Sequence, residues 1–470
     1  MEEETPMPLA TQFAERIHAL RYEDLTPVAR EWVGSAFIDT VGVTIAGIVE
    51  EGPQILMRMP GMGASGPCVV IGTDRRMGPL DATLVNGTAS HVLDYDDMVG
   101  SLAGHASAML VPPLLALGEY LGSSGRDLAV AYIAGFETAC RIGRGVHHHH
   151  YDKGWHPTST LGIFGTVAAT ARLLNLTVEQ TAAALGLAAS LAGGLKSNFG
   201  TMTKSLHVGH GTRSGLFAAL MVRDGFTANP ATFEHKQGFL DVFNGPGTYD
   251  TSRMLGDWYA PFECDGAAGI GLKPYPCCGS THPAIECVAD MAKQYDLNPE
   301  QVFSLEVMPH QRRLPHTDNP DPRTSLAAKF SQQYCAARAL VSRSAKLEHF
   351  EGDAPFDPVV RALLQRTTAR PHPEWAADAP LQWGVEVVVT MNDGRRLVSR
   401  VDDYKKFGPG SRTMPREAMW EKFEDCAKRS LPRPQIAPLF EQLERIDRVE
   451  NLAEVTRLMQ APVMARAAAE

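Results

Sequence analysis

Only eight of the 470 residues are cysteine, too few for a disulfide scaffold. No C-x-x-C pair occurs, which removes the zinc-ribbon and thioredoxin readings. The adjacent Cys277 and Cys278 read as reduced thiols, because a vicinal disulfide is strained. Positive charge is also scarce: 44 Lys+Arg stand against 54 Asp+Glu, a formal net charge of −10. That argues against nucleic acid as the main partner, while a few local Lys, Arg and His still suffice for an anionic substrate. No apolar run reaches the roughly 20 residues that a spanning helix needs. The most apolar stretches, 161–171 and 181–195, are Ala- and Gly-rich and read as closely packed helices, so no membrane partner is expected. The opening MEEETPMPLATQF has neither an apolar leader region nor the Arg-rich character of a transit peptide, which predicts a cytoplasmic chain. G-x-S-x-G, G-x-x-x-x-G-K-[ST], H-E-x-x-H and EF-hand loops are all missing. Acyl transfer from a nucleophile elbow and P-loop phosphoryl transfer lose support, and neither cofactor nor metal is expected.

What is present is an ordinary globular composition, 44% hydrophobic and 21% charged, able to offset its ordering entropy by burial. From about 8 to about 260 the pattern is helical. Phe13, Ile17 and Leu20 recur at helical spacing, as do Ala29, Trp32, Val33, Phe37 and Val41. The run 109–121 is apolar nearly all round, and Thr177 with Gln180 forms a capping box. Near 265 the texture changes. Helices are expected over 281–295 and 325–341, and a strand over 302–308. The runs 385–391 and 395–401 flank Asn392-Asp393-Gly394, a strong hairpin signal. After Gly408-Pro409-Gly410 three amphipathic segments return, about 415–428, 435–446 and 450–460. The reading is a mainly α protein: a large, discontinuous all-α domain over 1–268 and 408–470, with a smaller α+β domain over 269–407.

Four constellations hold chemistry-bearing residues. N-G-T-A-S-H-V-L-D-Y-D-D, 86–97, puts three carboxylates in four residues, costly to bury together. If helical, His91 and Asp94 are neighbours on one face. A solvated acidic helix end is the alternative. His105 follows before the apolar helix, at a place suited to an acid or base or to a hydrogen-bonded structural role. H-H-H-H-Y-D-K-G-W-H-P-T-S, 147–159, opens with four histidines, but successive residues diverge and make no preformed metal site. His156, bracketed by Gly154 and Pro157, is held in a rigid turn. G-T-M-T-K-S-L-H-V-G-H-G-T-R-S-G, 200–215, surrounds Lys204, His207 and Arg213 with small residues, a composition that sets cations beside exposed backbone N–H groups as a carboxylate receptor. A solvated Lys in a Gly-rich loop is the blander reading. G-L-K-P-Y-P-C-C-G-S-T-H-P, 271–283, offers Lys273 as a second carboxylate partner, with Ser280 or Thr281 as a helix cap. Cys278 with His282 as its base is the less favoured reading. His, Lys and Asp without a cofactor signature suit proton abstraction beside a carboxylate.

These four segments, in order and spacing over nearly the whole chain, resemble the MmgE/PrpD family, which includes 2-methylcitrate dehydratase, cis-aconitate decarboxylase and iminodisuccinate epimerase. The resemblance implies a large all-α domain, a smaller α+β domain, a homodimer, a site in the cleft between domains and metal-independent catalysis. The family's active-site Asp matches Asp94, its histidines His105 and His156, and its lysines Lys204 and Lys273. His207, Cys278 and His282 join Lys204 and Lys273 as substrate-binding candidates. Three positions depart from the decarboxylase-like pattern: Met98 stands for Thr, Cys278 for His, and His316 or a neighbour for Tyr. The implied activity is a dehydratase-type lyase on a small di- or tricarboxylate, with Asp94 orienting a histidine. An epimerase and a decarboxylase are the enzymatic alternatives, and a carboxylate-binding protein is the non-enzymatic one.

Overall fold

The computed structural model describes residues 7–146, 148–266, 268–379 and 383–462. The chain is mainly α, with a smaller α+β part. The described residues up to Leu272 and from Phe407 onward form one unit, and those within Lys273–Lys406 form the other. The first division falls after Leu272 because Ile270–Gly271 pairs antiparallel with Met98–Val99 and the Leu272 amide donates to the Phe407 carbonyl at 2.6 Å.

In the first unit the apolar spacing produces the expected helices. Leu9–Ala19 buries Phe13 and Ile17. Pro27–Gly47 starts with proline at its first position and with the Thr26 hydroxyl accepting from the Ala29 amide. It buries Trp32, Val33, Phe37 and Val41. Val178–Leu191 opens on the Thr177–Gln180 capping box. Ala106–Leu121 is buried through Gly118 and stops at Gly122, whose φ of +68° ends the helix. The three C-terminal segments are Arg416–Ala427, Arg433–Glu444 and Ala453–Leu458. The first lies against Pro27–Gly47, where a Cβ on Gly42 would meet the Phe423 ring at 3.0 Å. The unit is not purely helical: Ser65–Val69 pairs with Arg76–Met77, and Met98–Val99 with Ile270–Gly271.

Residues 200–215 correct the sequence reading. Thr203–Arg223 is one helix, so from there on the small residues offer no exposed backbone N–H groups. They permit a close crossing with Pro79–His91 instead. A Cβ on Gly209 would stand 2.1 Å from Thr88 Oγ1 and 2.4 Å from the Leu84 carbonyl oxygen. This crossing sets the N-terminal turn of one helix, with Lys204, near the C-terminal end of the other, with His91.

The second unit carries a four-stranded sheet in the order Thr367–Ala369, Val302–Pro309, Val385–Met391, Arg396–Val401. The first pair is parallel and the others antiparallel. The hairpin turns at Gly394, whose φ is +86°. The helix expected over 325–341 is broken into Ser325–Lys329 and Gln332–Ser342, because the Ser331 hydroxyl caps the second piece by accepting from the Tyr334 amide. His282–Gln294 has no side-chain cap, contrary to the reading of Ser280 or Thr281. A 3₁₀ turn, Gly279–Thr281, leads into it. Among the described residues no single helix is long and apolar enough to cross a membrane. Pro27–Gly47 and Glu51–Arg58 pass by length and composition only as a pair bent by 73°.

Candidate active site

The helix Pro79–His91 ends at His91, so the helical face proposed for His91 and Asp94 does not form. Residues 92–97 turn instead, and Asp94 takes a φ of +53°, a conformation Asp tolerates better than most residues. All three carboxylates are buried, against the alternative of a solvated acidic helix end. The turn makes this affordable by sending each carboxylate to its own partner. Asp94 Oδ1 meets Lys204 Nζ at 2.5 Å. Asp96 Oδ2 accepts from His91 Nδ1 at 2.8 Å and lies 3.2 Å from His105 Nδ1. Asp97 accepts from the Ser107 hydroxyl at 2.5 Å and from its amide at 3.3 Å, near the start of Ala106–Leu121. Trp32 Nε1, Tyr132 Oη and Ser107 Oγ form a donor chain that ends on Asp97. Burial, reinforced by Asp96 and Asp39, pushes Asp97 up to about 7 despite the Ser107 hydrogen bonds. Between them, Tyr95 is pinned by Lys422 Nζ, which donates to its carbonyl at 2.9 Å and pairs with the buried Asp39 at 2.5 Å.

Around this turn stand the imidazoles. His91 meets His105 edge-on at 4.6 Å between centroids and stacks against His156 at 5.7 Å. His156 Nδ1 lies 3.2 Å from His207 Nδ1. His207 sits three residues beyond Lys204 on its helix, and Phe199 flanks both His156 and the Lys204 ammonium. His156 is held where the sequence placed it: Gly154 has a φ of +111°, the His156 amide donates to the Gly194 carbonyl, and Pro157–Thr160 forms a short helix. Burial holds His156 well below the imidazole range, aided by His91 and Lys204. Burial also takes His91 down to about 4, although Asp96 pulls the other way. For Asp96 burial opposes ionisation, but the two facing imidazoles outweigh it and keep the carboxyl well below its ordinary value. At neutral pH His91 and His156 are therefore neutral imidazoles, available as proton acceptors beside Lys204.

The structure thus gathers Asp94, His105, His156, Lys204 and His207. It moves one role: the carboxylate set against the imidazoles is Asp96, while Asp94 is paired with Lys204. The sequence reading passed over Asp96. Nothing in the local sequence separates Asp96 from its neighbours Asp94 and Asp97.

Lys273, Cys278 and His282 belong to the second unit. Lys273 is buried. The Cys278 amide donates to the Lys329 carbonyl at 3.0 Å. His282 Nε2 donates to the Cys277 carbonyl at 3.1 Å and its ring meets Tyr275 edge-on, so that nitrogen is committed to the loop and not to the Cys278 thiol. His316 Nε2 lies 3.2 Å from Ser280 Oγ.

In the histidine run, His147 lies outside the described residues. His149 Nε2 donates to the Asn244 carbonyl, and His150 bonds Thr160 Oγ1 at 2.8 Å among Trp155, Phe239 and Phe243. Burial lowers His150 to about 4. A histidine neutral in the fold but protonated once unfolded loses its stabilising contribution as pH falls from about 6.5 toward 4. The stability gap between wild type and His150→Gln should therefore narrow between pH 7.5 and 5 in urea titrations. A gap that widens on acidification contradicts this.

Comparison with known proteins fits this layout. The MmgE/PrpD N-terminal domain matches residues 11–252 and the MmgE/PrpD C-terminal domain residues 275–444. A cis-aconitate decarboxylase-like protein of Aspergillus oryzae is 28% identical over 82% of this chain and 81% of its own. Cis-aconitate decarboxylase of Mus musculus is 26% identical over 96% of this chain and 93% of its own, and that of Aspergillus terreus 27% identical over 85% and 84%.

Proposed function

The chain belongs to the MmgE/PrpD family, and from that premise we propose that it is a cofactor-free lyase acting on a small di- or tricarboxylate. The observation that carries this reading is the buried Lys204–Asp94 pair beside His91, His156 and His207, whose burial favours the neutral imidazole. Lys204 binds a substrate carboxylate and stabilises the charge that develops on it when the neighbouring carbon becomes carbanionic. Lys273 shares this role, and Cys278 and His282 join His207 in binding substrate, by resemblance to the family. In dehydration His156 or His105 takes the α-proton, and the C–H electron pair becomes the double bond. The C–O bond breaks, and the departing hydroxide, assisted by the other imidazole, leaves as water with the proton that the imidazolium formed in the first step gives up. Dehydration is preferred because it needs only this acid/base pair, while Met98, Cys278 and His316 or a neighbour depart from the decarboxylase-like pattern.

The relatives named cis-aconitate decarboxylases favour a second reading. There the C–C electron pair stays on carbon, CO₂ leaves, and an imidazole proton is delivered to that carbon. One experiment separates them. Wild-type protein is incubated in deuterated water with cis-aconitate, citrate and 2-methylcitrate and followed by NMR. Loss of water to an alkene supports dehydration, and CO₂ with one deuterium gained on carbon supports decarboxylation. Exchange at the α-carbon alone points to an epimerase. Ligand-dependent melting shifts without turnover would overturn the lyase reading in favour of a carboxylate-binding protein. Lys273→Ala is expected to lower turnover by about a hundredfold or more, and near-normal rates would remove Lys273 from the site. The same reading has the protein as a cytoplasmic homodimer, which light scattering checks for mass.

A further inference from the structure

We propose that Asp96 is a positioning residue that holds His91 and His105 with hydrogen on Nδ1, so that each presents an Nε2 lone pair, and that His91 braces the two imidazoles that move protons. The catalytic part of this inference rests on the lyase reading above; the tautomers do not.

Asp96 is fully buried, and one of its oxygens faces both Nδ1 atoms, at 2.8 Å and 3.2 Å. A carboxylate only accepts, so each nitrogen turned toward it is the one that carries hydrogen. The His91 contact is a full hydrogen bond. His105 Nδ1 faces the same oxygen at 3.2 Å with a poorer alignment. The alternative Nε2–H tautomer would turn two buried lone pairs toward a buried anion. It would also leave His91 Nε2–H without an acceptor, since that nitrogen has no hydrogen-bond partner among the described residues. His91 in turn packs its ring against both His105 and His156, at 4.6 Å and 5.7 Å between centroids. Losing its tautomer therefore disturbs both neighbours. Among the described residues the titratable and charged groups facing this cluster include Lys204 and its partner Asp94, Asp97, His156 and His207.

The same three side chains bring their atoms within 4.8 Å of one another, a spacing that suits a metal ion as well. The distances favour hydrogen bonds. Tetrahedral ligands about 2.0–2.1 Å from zinc lie about 3.3 Å apart, whereas His91 Nδ1 and Asp96 Oδ2 stand at the 2.8 Å of an N–H···O bond.

The test uses protein labelled with ¹⁵N-histidine and long-range ¹H–¹⁵N NMR, which needs no substrate. Two imidazoles should show a protonated Nδ1 and a lone-pair Nε2, one vanishing in His91→Gln and one in His105→Gln, and both should change in Asp96→Asn. Two Nε2–H tautomers in wild type, or an unchanged Asp96→Asn spectrum, overturn the proposal. So does a stoichiometric metal whose removal by chelator alters these signals. With an acid that wild type turns over, Asp96→Asn should lower kcat by about a hundredfold or more with KM little changed. Loss of the anion disfavours protonated imidazole, so the acid limb of kcat/KM should move down by about one pH unit. A merely structural role would reduce the folded fraction without moving that limb. Failure to turn over any acid would defeat the lyase reading while the NMR arm still decides the tautomers.

Discussion

Lys204→Met is expected to lower kcat/KM by at least about a thousandfold, because it removes the ammonium on which the developing charge depends. Methionine keeps most of the stem length beside Phe199, so packing is largely retained. The variant should also be less stable, by about 1–3 kcal/mol, since it takes one cation from the buried Asp94 carboxylate. The two effects separate in the double variant Lys204→Met/Asp94→Asn. Asparagine tolerates the positive φ of residue 94 as aspartate does, so the turn survives while the stranded charge disappears. Stability should return to within about 1–2 kcal/mol of wild type, as read from urea midpoints, while activity stays lost. If the double variant regains more than a tenth of wild-type kcat/KM, Lys204 serves the fold and not the reaction.

Signals that act over a few residues were legible in the sequence. The Thr177 capping box and the turn at Gly394 depend on neighbours within four positions, and both stand as expected. Where two local signals competed, the reading failed: the apolar spacing over 325–341 argued for one helix, and the capping hydroxyl of Ser331 divided it. The glycines of 200–215 were misread because flexibility and close packing leave the same letters. Only the opposing helix, with Thr88 and Leu84, tells them apart. In D-Y-D-D the sequence raised the right physical problem, three carboxylates too close to bury together. Its solution lies in residues 10, 110 and 327 positions away from Asp97, Asp94 and Tyr95, namely Ser107, Lys204 and Lys422. Asp96 was overlooked for that reason. Its partners are the two histidines on either side of the turn, and without the fold nothing favours it over Asp94.

The second large effect is expected at Arg141, which lies outside the imidazole cluster. Its buried guanidinium pairs with Glu137 at 3.3 Å and Glu263 at 3.1 Å, and donates to the carbonyls of Gly256, Asp257 and Pro261. It thereby fastens a loop in which Asp257 and Tyr259 hold positive φ angles. Arg141→Met leaves two buried carboxylates with Arg144, at 2.7 Å from Glu263, as their cation among the described residues, and should lower stability by about 3–5 kcal/mol. The pH dependence follows from Glu137, which burial already raises to about 7. A carboxyl with a raised folded pKa stabilises at low pH and loses that contribution as pH climbs through the folded value. Without Arg141 its proton is held more tightly still, so the deficit relative to wild type should grow between pH 5.5 and 8. Adding Glu137→Gln should recover more than about 1 kcal/mol of it, because the amide oxygen still accepts from the Glu263 amide while the charge is gone. The same loop leads into Ala268 and Gly269, whose carbonyls accept from the Ser101 and Gly100 amides beside the His105 segment. Hydrogen exchange at those two amides should therefore quicken in Arg141→Met, while the helix Pro79–His91 keeps its protection. A deficit that is flat with pH, or exchange that rises equally in both places, would mean that Arg141 is an ordinary core contact and not the brace of the site's outer loop.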